Sequence, residues 1–160
     1  MNIDNRAVIP LRVFLMGLFA VLLVFQFLSF PGQFAYMAQQ SPDQAYLRWP
    51  LTAVAAFLIL CAQVVIVSIW RLLGLVQHDR IFSVAAFVWV DAIVWAIAAG
   101  WLVLVGVLGF FAYNADEPGP QMVLFLIPIM AIAVVGLLMV VMRALLHQAT
   151  TLQTDMEAVI

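Results

Sequence analysis

Asp91 is the one acidic residue set inside an apolar run, between Val84 and Ala112. A carboxylate at membrane depth suits cation binding or proton relay, so it is the first candidate for chemistry. It also has a structural alternative. About 12 Å along a helix starting at Val84, it stays near the membrane interface and can pair with Arg71, Arg143 or Arg12. Gln63 is the polar group in the middle of another apolar run, where a hydrogen bond to a second helix contributes about 1 kcal/mol. His78 and His147, with Asp79 or Asp155, are metal-ligand types, but no spacing holds them together, and we expect no metal and no cofactor. The sequence has no pair of embedded histidines for haem, and no embedded Ser-His or Cys-His pair for hydrolysis. We therefore expect no enzyme. The lone Cys61, in an apolar run, excludes an internal disulfide and reads as a small packing residue.

The elements that position these residues are dictated by composition. Of 160 residues, 68% are hydrophobic and 9% charged, and the mean hydropathy is +1.18. A soluble domain is roughly 45–50% apolar and 25% charged, so the solvent of this chain is a bilayer. A formal charge of -2 and the lack of any lysine give no surface for direct nucleic-acid binding.

Four spans of roughly 20 residues or more are predicted, at about 10–30, 51–71, 84–112 and 121–143. They form an all-α transmembrane domain over 1–149, followed by a cytoplasmic amphipathic tail over 150–160. Pro10 is expected in the first turn of the first span, and Pro31 with Gly32 at its end. The first span reads as uncleaved, because its run exceeds the h-region of a signal peptide and Ala35 and Ala38 lack A-x-A spacing. A polar loop carrying Gln33 to Arg48 follows, and Pro50 is expected in the first turn of the second span. Gln77, His78, Asp79 and Arg80 make a short polar bend, with Ser83 as the cap of the third span. Pro128 falls inside the fourth span, where a kink is expected. Asp116 and Glu117 lie in the turn before it.

Orientation follows from arginine. Arg6, Arg12, Arg71, Arg80 and Arg143 fall on one side of such a topology and Arg48 alone on the other. The bias of basic residues toward the cytoplasm then puts both ends and the hairpin between the second and third spans inside.

Two faces are set up for helix contact. Ala92, Ala96 and Gly100 form a small-residue face that lets a second helix approach, within the chain or from a second copy. Leu145, Ala149, Leu152, Met156 and Val159 form a heptad stripe in phase with Leu138 and Met142, suited to a partner, to a second copy, to the chain's own hairpin or to the lipid surface.

The hairpin QHDRIFSVAAFVWVDAI and the tail MRALLHQATTLQTDMEAVI resemble the bacterial membrane family catalogued as domain of unknown function 2975. The resemblance covers the whole chain. It implies four spans, a cytoplasmic hairpin before a Phe-Ser or Phe-Thr, a short tail, and location in the bacterial inner membrane. It also implies a neighbouring gene for a small helix-turn-helix regulator, and so a cytoplasmic partner. The expected function is an integral membrane interaction or regulatory module. Its interface would be His78, Asp79, Arg80 and the stripe Leu145, Ala149, Leu152, Met156 and Val159. The alternative is a small ion or solute carrier using Asp91, Gln63 and the Pro128 kink; pairing of Asp91 with Arg71 or Arg143 at the interface would favour the module instead.

Overall fold

In hydrocarbon every backbone N–H and C=O must be satisfied within its own segment, and a chain this apolar achieves that as helix. The computed structural model describes residues 5–78, 82–114 and 119–159, with only the backbone for residues 5, 6, 44 and 121. The described elements are helical: α1 (Asn5–Val24), a π-helical turn (Phe25–Ser29), α2 (Phe30–Gln40), a 3-10 segment (Pro42–Leu47), α3 (Arg48–Gln77), α4 (Val84–Asn114) and α5 (Pro120–Val159). Four stretches, Ala7–Gln40, Ala45–Gln77, Val84–Asn114 and Met122–Val159, are long and apolar enough to cross a membrane. Many of their large apolar side chains are open to the surroundings, as with Phe14 at 76%, Leu28 at 73% and Trp95 at 74% exposure, which suits contact with lipid. The chain divides into two compact units, Met1–Trp70 and Arg71–Ile160.

In the first unit, two expectations about proline are corrected. Pro10 lies inside α1, which already runs from Asn5. The hydrogen bond it forgoes is to the carbonyl of Arg6, in the polar head, where water can replace it. Pro31 and Gly32 do not end the first helix, because helix continues to Gln40. The reason is the π turn just before them. The Phe30 N–H donates to the Phe25 carbonyl, and this wider turn relieves the clash that Pro31 would make with the Phe27 carbonyl in a regular α-helix. The expected polar loop is therefore helical too. Its glutamines stay in helix by bonding one turn back: Gln33 Nε2 donates to Ser29 Oγ at 3.2 Å and Gln40 Nε2 to Tyr36 Oη at 2.8 Å. Phe25, Phe30 and Phe34 add a run of rings, each 6.0 Å from the next. Pro42 stops α2, the Ser41 N–H closing it on the Met37 carbonyl at 3.0 Å. α3 begins at Arg48, so Pro50 still falls in a first turn, where no N–H is needed.

In the second unit, α4 and α5 form an antiparallel pair. Trp101 Nε1 donates to the Ile129 carbonyl at 3.1 Å, and a Cβ built on Gly136 would stand 3.1 Å from Ile97 Cγ2. Ala86, Val90, Ile93, Ala96 and Gly100 are the buried residues of α4, at the three- and four-residue steps of one helix face. Ala96 and Gly100 of the small-residue face are thus buried without any second copy, while Ala92 is half-buried. α4 begins at Val84, and the Ser83 carbonyl accepts the Ala86 N–H at 3.0 Å. α5 is continuous through Pro128, through Arg143 and on to Val159. Asp79, Arg80, Asp116 and Glu117 lie outside the described residues.

Candidate functional site

Near the start of α4, a small set of polar side chains of the second unit comes together. Phe87 and Asp91, four residues apart, share a face of α4, and Arg143 and His147 share the facing side of α5. The Arg143 guanidinium holds the Asp91 carboxylate in a two-pronged ion pair, Nε against Oδ1 and Nη2 donating to Oδ2 at 3.1 Å. One turn further along α5, the His147 ring meets the Phe87 ring edge-on at 5.9 Å. Arg71 takes a different partner, with its guanidinium 5.5 Å above the Trp89 ring. So of the cations offered to Asp91 by the sequence, Arg143 is the one that holds it. Arg12, in the first unit, lies 5.4 Å over Trp70.

The Asp91 and Arg143 side chains remain 39% and 49% exposed, so this is a clasp at the rim of the helix pair. A planar guanidinium bound at two points fixes register and rotation of one helix on the other. At this exposure, solvent screening limits its worth to about 0.2–1 kcal/mol. His78 closes α3, its Nδ1 donating to the Gly74 carbonyl at 2.7 Å. Among the described residues no three His, Cys, Asp or Glu side chains converge on a common metal position.

Gln63 is in the other unit and takes no part in this cluster. It is buried at 7% exposure, and its Nε2 donates to Gln26 Oε1 at 3.0 Å. Gln26 belongs to the π turn, so the irregular backbone that admits Pro31 also carries the acceptor that satisfies Gln63. Replacing Gln63 by Leu is expected to cost about 1 kcal/mol, and adding Gln26→Leu to cost little more, because the bond is already gone. A double-mutant cycle of unfolding in mixed micelles measures this; additive losses would show that the two side chains act separately.

The stripe on α5 is placed away from the cluster. Leu145, Leu152, Met156 and Val159 are exposed at 54–86%, and Ala149 is half-buried. At 100° per residue they centre on the side of α5 opposite Arg143, His147 and Thr150. Thr150, Thr151 and Thr154 donate their hydroxyls to the carbonyls of Leu146, His147 and Thr150 at 2.9–3.0 Å, so these hydroxyls are satisfied within the helix itself. Sequence reasoning missed Gln26, Trp89, Trp101 and Gly136. The four-residue step from Phe87 to Asp91, matched by Arg143 to His147, was the signal available for the clasp.

An all-helical chain with four membrane-length apolar helices is a multi-pass membrane protein. Residues 32–160 match the family described as Protein of unknown function (DUF2975), and the chain belongs to that family. The match begins at Gly32 within α2 and takes in all of α3, α4 and α5. No curated protein and no solved structure matches the chain.

Proposed function

We propose that this chain is a docking module of the bacterial inner membrane, with both termini and the 71–83 hairpin in the cytoplasm, and that the C-terminal part of α5 seats a cytoplasmic partner. The partner that the family resemblance implies is a small helix-turn-helix regulator, which this chain would hold without touching nucleic acid itself. The observation that carries the reading is the length of α5. Its 40 residues span about 60 Å, twice the roughly 30 Å of hydrocarbon. Arg143 marks the end of the apolar run, so the helix continues into water with Leu152, Met156 and Val159 exposed. Covering each such side chain is worth about 1.5–3 kcal/mol, which is the driving force for a partner.

Crosslinking and pull-down from native membranes tests this, comparing the full chain with one ended after Ala149. Recovery of a soluble DNA-binding protein by the full chain alone is the expected result; equal recovery by both chains removes the tail from the function. The Asp91–Arg143 clasp favours a module over a carrier, since a carrier would have to strip Arg143 from the carboxylate in every cycle. Asp91→Asn in proteoliposomes is accordingly expected to leave proton-driven solute uptake at the level of the unchanged chain. Loss of an uptake activity in that variant would install the carrier reading instead.

A further inference from the structure

The far end of α5 carries two patterns at once. Leu145, Ala149, Leu152, Met156 and Val159 recur at four- and three-residue steps on an unbroken helix, so they form one straight row about 21 Å long. Leu152, Met156 and Val159 in that row are 64–86% exposed. The row is narrow, because from Ala149 to Met156 each member has a polar residue on either side of it in sequence. The second pattern is charge. Past Arg143 the sequence holds no Lys or Arg, and its acidic residues are Asp155 and Glu157, both exposed and turned about 100° to either side of Met156.

Together the two patterns select an occupant. A narrow row at heptad spacing is covered along its length by another helix, whose side chains recur at the same steps. A second copy inserted in the same sense would run parallel and bring four carboxylates to one level with no Lys or Arg beside them. The lipid surface takes helices whose polar face is basic, and an anionic leaflet repels this one. A helix with a basic flank beside its apolar row satisfies both patterns.

We propose that the end of α5 pairs with a basic amphipathic helix of its cytoplasmic partner, apolar at heptad spacing over about four turns and carrying Lys or Arg level with Asp155 and Glu157. This rests on the reading of α5 as the partner's seat, and adds which element the partner brings and the charge beside it.

Fluorescence anisotropy on the full chain in phosphatidylcholine nanodiscs tests it with labelled peptides of three heptads. The first has Leu at the a and d positions and Lys on both flanks, the second has the same residues in scrambled order, and the third has Glu for Lys. The first is expected to bind, the scrambled one about tenfold or more weaker, and the Glu peptide weaker than the Lys peptide. Asp155→Asn with Glu157→Gln should lower affinity for the Lys peptide by about threefold at low salt and have little effect at high salt. Leu152→Ser with Met156→Ser, which adds no charge, should remove binding. Equal binding of the ordered and scrambled peptides overturns the proposal, as does binding that survives truncation after Ala149. Copper-catalysed oxidation of Leu152→Cys in a Cys61→Ala background, in native membranes, is expected to give monomer; a disulfide-linked dimer would show that a second copy holds the row, and overturns it too. The pull-down from native membranes uses no peptide and so keeps the two claims apart. A partner recovered there, with the peptides indistinguishable, leaves the docking reading standing and removes the helix seam.

Discussion

Gly136→Leu is expected to force α4 and α5 apart and to lower stability by about 1–3 kcal/mol. The Cβ alone would stand 3.1 Å from Ile97 Cγ2, closer than ordinary contact. Ile97 cannot swing that methyl aside, because a β-branched residue in a helix has one strongly preferred χ1 rotamer. The helices themselves must move. Gly136→Ala asks for a few tenths of an ångström and gains helix propensity of about 1 kcal/mol, so its net effect should be near zero. Leucine adds three further carbons in the same gap. The separation should also loosen the Trp101 to Ile129 hydrogen bond and the Asp91–Arg143 clasp on either side of it. Unfolding in mixed micelles checks the loss, and Ile97→Ala in the Gly136→Leu background should recover most of it. A Gly136→Leu variant as stable as the parent would mean that α4 and α5 do not depend on this close approach.

The existence of four apolar helices was legible because a bilayer leaves one solution for a run of 20 apolar residues. Family membership was legible from the hairpin and the tail, the two stretches where polar residues break the monotony. The end of the first helix was misread at Pro31, because proline normally breaks a helix and a π turn is invisible to hydropathy. The π turn shows only in the register shift by which the Phe30 N–H reaches Phe25. Gly136 was hidden for a related reason. Gly17, Gly106, Gly109 and Gly136 are all small residues in apolar runs, yet the first three have open space where a Cβ would go and only the last, among these four, faces a neighbour. Amphipathicity, which reveals the buried face of a soluble helix, is erased when lipid and core are equally apolar. Asp91, by contrast, had to find a cation, and its partner could be narrowed to a few arginines because the chain has so few charges.

Changing Leu152 and Met156 to Glu together is expected to abolish capture of a cytoplasmic partner, while Thr154→Glu leaves it intact. Leu152 and Met156 are 64% and 69% exposed and lie on the side of α5 turned from α4. Counting from the Asp91–Arg143 and Phe87–His147 contacts in steps of four, the start of α4 comes level with about Thr151. Beyond that point α5 has no α4 beside it, and any cover for its apolar stripe must come from elsewhere. Two buried anchors at about 1.5–3 kcal/mol each amount to a loss of more than about a hundredfold in affinity, before any cost of burying the new carboxylates. Thr154 sits on the polar face, with its hydroxyl returned to the Thr150 carbonyl, and a carboxylate there stays in water. The comparison separates a specific stripe from a general need for a tail, which truncation alone cannot do. If the Thr154 variant loses the partner and the Leu152, Met156 variant retains it, the polar face is the docking surface and the heptad stripe belongs to the lipid. Retention by both would confine the partner's footprint to α5 residues nearer Arg143, or to the 71–83 hairpin.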